Sequence, residues 1–207
     1  MFDCHCHTQF EAFKDDWKAT IGRAQAAGVS IINVGTQRDT SAKAVEIAHQ
    51  YEKGVYASVG VHPIHTSQSH HDEAELGGGE AAKAFNSRGE KFDYEFYLNL
   101  ARDPKVVALG ECGLDYYRVT DNSQLTTDNW KQKQKEVFSQ HVKIAQETGK
   151  ALMIHCRPSK GTDDAYEDLL DLITNYNLPI TFPKILHFYV GSVAMTQKFL
   201  EDRKSVV

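Results

Sequence analysis

Six short β-branched runs, each followed by a helical stretch, fill the 207-residue sequence almost from end to end, and this alternation limits the available folds more than any other feature. The pattern predicts strands over 2–7, 30–35, 55–62, 106–115, 150–156 and 184–189. It predicts helices over 11–27, 40–53, 93–102, 128–148 and 163–176, with a last one beginning over 192–201, and Gly28, Gly54 and Gly149 acting as helix stops. Strands joined by helical crossovers pair in parallel. An open doubly wound sheet would gather its polar groups at one switch point. Here nearly every strand ends in a polar residue, as when all strand ends ring one mouth. The expected fold is α/β, a TIM-type (β/α)8 barrel that stops after about six βα units. Residues 1–207 would form a single barrel domain without strands seven and eight, since this length supports one substantial core.

Residues 66–90 break the rhythm. They are polar, hold three consecutive glycines and predict a long surface loop insertion, with His70 and His71 as solvated loop residues. No run of about 18 apolar residues exists, so no membrane span is expected. The N-terminus lacks the basic and apolar segments of a signal peptide, which makes the cytoplasm the expected compartment, or the nucleus in a eukaryote. A net charge of −5 offers no broad electrostatic footprint for nucleic acid. It leaves room for a nucleic-acid substrate where bound cations and a few local Arg or Lys supply the positive field. Cys4, Cys6, Cys112 and Cys156 show no C-x-x-C spacing, so a disulfide framework is not expected.

The chemistry concentrates at the strand ends. Asp3, His5 and His7 alternate on the first strand, so regular pleating would bring all three to one face of what reads as a buried strand. Glu111 lies inside a run, VVALGECGL, that otherwise reads as buried, where a lone carboxylate is costly unless paired or bound to a cation. His155 and His187 each close a hydrophobic strand. One such histidine is more often merely hydrogen-bonded than a ligand. Five coincident positions, His5, His7, Glu111, His155 and His187, point to a divalent-metal site. Each cysteine adjoins one of these positions, so alternation turns all four thiols toward the surrounding helices as small buried hydrophobes. A thiolate zinc site is the weaker alternative.

The successive segments Phe-Asp-Cys-His-Cys-His (2–7), Gly-Val-His-Pro (60–63), Gly-Glu-Cys-Gly-Leu-Asp-Tyr (110–116) and Met-Ile-His-Cys-Arg (153–157) resemble, in order, the motifs of the TatD family of metal-dependent deoxyribonucleases. These are barrels of the amidohydrolase-like superfamily, and the resemblance runs from residue 2 to about residue 200. It implies that His5 and His7 bind a first metal, that Glu111 bridges to a second, and that His155 and His187 complete the second site. It further implies two divalent ions (Mg2+, Mn2+ or Zn2+), catalytic roles for Glu111 and Arg157, and 3′–5′ exonuclease action on single-stranded DNA ends. His62, His65 and Arg157 would meet substrate phosphate, Arg157 through its bidentate fork. Tyr116 would either stack on a base or serve packing.

Two departures stand out. The family's sixth-strand motif usually reads His-Cys-Phe-Ser-Gly-Ser, whereas this chain has His187-Phe-Tyr-Val-Gly-Ser192. The sequence also stops before the eighth strand, whose Asp would join the first metal and help activate water. One expectation is therefore a truncated or split chain, or one completed by another chain. Two rival readings follow. The scaffold would also suit hydrolysis of a small amide, lactone, ester or phosphotriester, although no Lys ends strand four where many such relatives carry a carbamylated bridge. Alternatively, the chain binds metal without turnover. The sequence leaves the oligomeric state open.

Overall fold

The computed structural model describes residues 1–70, 86–117, 127–175 and 183–201. Its centre is a six-stranded parallel sheet of β1 (Phe2–Cys6), β2 (Ser30–Val34), β3 (Val55–Val59), β6 (Val106–Asp115), β7 (Ala151–Arg157) and β8 (Lys184–Leu186), which lie side by side in chain order. A sheet that never reverses its order is the barrel solution rather than the doubly wound one. The six strands curl into a half-barrel. The crossovers are α1 (Trp17–Ala26), α2 (Arg38–Ala48), α3 (Tyr94–Ala101), α4 (Thr127–Thr148), α5 (Asp164–Asn175) and α6 (Val193–Glu201). Among the described residues, no helix is long and apolar enough to cross a membrane.

The two faces of the sheet carry separate apolar layers. The large one lies between sheet and helices, where Val59, Leu109, Leu114, Leu152 and Ile154 meet Ile47, Phe138, Ile144 and Leu169. The small one lines the concave side, with Val34, Ala108 and Met153 backed by Ile32, Ala151 and Ile185. On β7, strict alternation puts Ala151, Met153, His155 and Arg157 on the concave face, while Leu152, Ile154 and Cys156 are buried toward the helices.

Several elements differ from the sequence reading. The first helical stretch divides into a 3-10 turn (Glu11–Phe13) and α1. Helix α2 ends at Ala48, five residues before the position expected, because Gln50 and Tyr51 donate to carbonyls three residues back and tighten the chain out of the helix. The third strand leaves the sheet at Val59, and residues Pro63–Thr66 form a 3-10 turn. The expected loop over 66–90 begins and ends in an antiparallel ladder of β4 (Gln68–His70) with β5 (Asn86–Arg88), while 71–85, with His71, lie outside the described residues.

Strand β1 is not the buried strand expected. Phe2, Asp3 and Cys4 are exposed, since β1 is the terminal strand of the described sheet and only β2 covers it. Its register also slips. Asp3 lies opposite Ile31 and Cys6 opposite Asn33, so three residues of β1 span two of β2. This bulge takes Asp3 out of phase with His5 and His7, and its Oδ1 instead accepts the His5 backbone N–H at 3.1 Å. The cysteine expectation fails at the same strand, with Cys4 exposed and Cys6 half-buried, while Cys112 and Cys156 are buried as expected.

Candidate metal centre

Glu111 owes its position to a second bulge. Along β6 and β7, Leu109 pairs with Leu152 and Cys112 with Ile154, so β6 carries one extra residue at Gly110–Glu111. The extra residue inverts the alternation. Ala108 is concave-facing before it, and Gly113 and Asp115 oppose His155 and Arg157 after it. A regular strand would have turned Glu111 and Asp115 toward the helices. Two glycines permit the distortion. A Cβ on Gly110 would overlap the Met153 carbonyl oxygen and one on Gly113 the His155 carbonyl oxygen, with φ at +148° and +139°.

The Glu111 side chain, only 5% exposed, is ringed by four imidazoles from four other strand ends. His187 Nε2 lies 2.7 Å, His155 Nδ1 3.1 Å and His62 Nε2 3.4 Å from Oε1, and His5 Nε2 lies 3.3 Å from Oε2. His5 and His187 stack with ring centroids 4.1 Å apart, and His62 meets His155 edge-on at 4.3 Å. Burial alone would raise the Glu111 carboxyl, but His62, His155, His187 and His5 outweigh it and hold the group well below the usual carboxylate range. Two donor groups result, His5–Glu111–His187 and His62–Glu111–His155, each with its ligand atoms within 4.8 Å of one another. A buried carboxylate shared by imidazole nitrogens is a donor set suited to borderline divalent cations, so these residues fit a pair of ions meeting at Glu111.

Surrounding atoms set the tautomers. His7 Nδ1 donates to the Val34 carbonyl at 2.8 Å, which leaves its Nε2 lone pair 3.2 Å from His5 Nε2. Burial pushes His7 down to about 4 and keeps it neutral. His155 Nε2 donates to Asp115 Oδ2 at 3.0 Å, so Nδ1 faces Glu111. Burial would lower His155, but Asp115 and Glu111 raise it to about 9. Asp115 is in turn gripped by Gln134 on α4, whose Oε1 accepts the Asp115 N–H at 2.8 Å and whose Nε2 donates to the Asp115 carbonyl at 3.1 Å. His62 differs from the others. Its Nδ1 accepts the Ile64 N–H at 3.3 Å, so the ring proton belongs on Nε2, the nitrogen aimed at Glu111.

The structure therefore brings His5, His62, Glu111, His155 and His187 together, with His7 touching His5. The grouping differs from the one the sequence suggested. His187 sits with His5, and His62, expected on substrate phosphate, falls in the second donor group. Arg157 lies beyond His155 on the wall of a cavity of about 630 Å3 that opens onto the cluster. His65 is buried, its ring 6.0 Å from that of His62. Tyr116 is not available to stack on a base. It is 1% exposed and its hydroxyl donates to Asp168 at 2.8 Å, because the restored alternation of β6 carries it to the helix side. Its neighbour Tyr117 reaches the cavity instead, with the Arg157 guanidinium 3.9 Å from its ring centre. Sequence reasoning missed Asp115, Gln134 and Tyr117. The argument that flagged Glu111, a carboxylate in an apolar run, applies equally to Asp115. Gln134 was legible as a polar residue in the α4 stripe of Trp130, Val137, Phe138 and His141.

Residues 2–206 match the family described as TatD related DNase. The chain is 29% identical over 202 residues to the uncharacterized metal-dependent hydrolase YabD of Bacillus subtilis (strain 168), aligning 97% of this chain with 65% of that protein. It is 30% identical over 202 residues to the 3′-5′ ssDNA/RNA exonuclease TatD of Klebsiella pneumoniae (strain 342), again 97% of this chain but 63% of that one. It thus spans just under two thirds of the length of these curated relatives. Among solved structures, the TatD homologue YjjV from Escherichia coli K12 superimposes with a TM-score of 0.66 at 23% identity, over 100% of this chain and 66% of that one. This likeness bears on the fold.

Proposed function

The chain belongs to the TatD-related DNase family, and on that premise we propose that it is a metal-dependent phosphodiesterase releasing nucleotides from the 3′ end of single-stranded DNA. The observation that carries the reading is the pair of histidine groups sharing one buried carboxylate at the mouth of the half-barrel. In this reading two divalent cations (Mg2+, Mn2+ or Zn2+) would be held at Glu111, one by His5 and His187 with His7 alongside, the other by His155. Cations bound there supply a water of lowered pKa and offset charge on the phosphoryl oxygens.

The protein's own groups do the rest. Asp115 keeps the His155 Nδ1 lone pair directed inward, and Gln134 keeps Asp115 in place. His62 stands in the second donor group, but with its ring proton on Nε2 it would give that N–H to a phosphate oxygen and leave the second cation to His155 and Glu111. Arg157 offers its planar fork to the same phosphodiester from the cavity wall. We place this activity in the cytoplasm.

The test is a time course of 3′-labelled and 5′-labelled single-stranded oligonucleotides with each metal in turn, alongside a panel of small esters and amides. Stepwise release from the 3′ end that EDTA stops is the expected result. Glu111→Gln should lower it by well over the roughly 10–100-fold typical of losing an outer-shell partner. Turnover of the small substrates alone would favour the amidohydrolase-type reading. Metal uptake without turnover of any substrate would leave a metal-binding role.

A further inference from the structure

Two exposed aromatic rings stand beside the metal centre. Tyr117 is 47% exposed although it directly follows the buried Tyr116. Phe188 is 86% exposed, directly follows His187, and holds a left-handed backbone with φ at +51°, a conformation uncommon for a bulky side chain. Both line the cavity of about 630 Å3 whose inner wall is His155 and His187. This volume falls within the range of small-molecule and nucleotide sites.

The rings are set in a prepared frame. The Tyr117 backbone N–H donates to Asp115 Oδ1 at 3.1 Å, tying the ring's position to the carboxylate that orients His155. The Arg157 guanidinium covers the Tyr117 ring at 3.9 Å. The cavity's outer rim, which carries Lys160, is pinned by Asp164. That carboxylate accepts the Ser159 N–H at 2.9 Å, the Ser159 hydroxyl at 2.8 Å and the Thr162 hydroxyl at 2.9 Å.

Resting on the nuclease reading above, we infer that Tyr117 and Phe188 form a base-binding subsite that takes the terminal nucleobase of a single strand. Aromatic faces bind any base by stacking, and cations beside them meet the backbone phosphate. Arg157 and Lys160 supply such cations on the same wall. A base paired inside a duplex is already stacked on its neighbours and must be freed at a cost before it can enter. The subsite therefore selects frayed or single-stranded ends.

The experiment uses a single-stranded deoxyoligonucleotide with 2-aminopurine at its 3′ end and phosphorothioate terminal linkages, titrated with the intact chain in Mg2+. Binding should quench the terminal fluorophore, and a 2-aminopurine placed well inside the strand should not respond. Tyr117→Ala and Phe188→Ala should each weaken binding by roughly tenfold or more, the scale of one lost stacking contact, and Phe188→Trp should retain it. An oligonucleotide with an abasic 3′ end should bind the unaltered chain as weakly as the intact oligonucleotide binds Phe188→Ala. The inference is overturned if both alanine variants bind like the unaltered chain, or if the abasic end binds as tightly as the intact one. If the unaltered chain binds no oligonucleotide, the nuclease reading falls along with the subsite, so the two failures are distinguishable.

Discussion

His155 uses both ring nitrogens, one toward Asp115 and one toward Glu111, and carries a proton to about pH 9 when no cation competes. A cation needs the Nδ1 lone pair, so metal loading near pH 7.5 should expel a proton. Calorimetric titrations in buffers of different ionisation enthalpy would detect it, and a buffer-independent enthalpy would contradict the assignment. Asp115→Asn should reduce this release and weaken metal affinity by roughly 10–100-fold. His141 behaves in the opposite sense. It is fully buried, donates through Nδ1 to the Val137 carbonyl and accepts the Val61 N–H on Nε2, and burial holds it at about 4. Its folded pKa is depressed below the ordinary 6.5, so its contribution to stability is complete above pH 6.5 and is lost as pH falls toward 4. The loss amounts to about 3 kcal/mol. Thermal melts of the chain and of His141→Gln across that window should converge at low pH.

Whether a residue's role could be read in the sequence depended on whether its strand kept strict alternation. On β7 it did, so His155, read as a strand-end ligand, and Arg157, two residues on, share the concave face. On β1 and β6 a bulge intervened, and a one-residue insertion reverses every side chain beyond it. Asp3 was misplaced for this reason, and of the two roles open to Tyr116 the bulge leaves packing. Glu111 was identified from the cost of burying it, not from its parity. The bulges had no local signal beyond the glycines of Gly-Glu-Cys-Gly, which read equally well as a turn. The register makes its own prediction. Gly113→Ala would press a methyl into the His155 carbonyl and should destabilise the chain by about 1–3 kcal/mol, as overpacking does, and more if β6 and β7 cannot separate. A denaturant melt would measure it. Phe188→Gly should act in the opposite direction. Relief of the left-handed backbone should raise stability by about 1 kcal/mol, or Tm by roughly 2–4 °C for a chain of this size, while weakening the binding that quenches the terminal base as Phe188→Ala does.

Across the whole molecule, alternation predicted a parallel sheet, and polar residues at nearly every strand end decided for the barrel order and for the concave site. Distances among those ends were not legible, because each histidine's partner lies on a different strand and register decides which imidazoles meet. The overall charge of −5 has a measurable corollary. Among the described residues, the cavity wall offers phosphate two cationic side chains, Arg157 and Lys160, so the logarithm of oligonucleotide affinity should fall with the logarithm of salt at a slope of about −1 to −2, given roughly −0.7 per neutralised phosphate of a single strand. A slope beyond about −4 would require a wider basic track than this cavity wall provides. The backbone of Phe188 bears on how the chain would evolve. A library of single substitutions selected only for folded, soluble protein should drift away from Phe at codon 188, toward Gly and Asn. The same library selected for growth that depends on digesting single strands should hold an aromatic there. The gap between the two enrichments would record how much fitness the chain draws from one outward-facing ring.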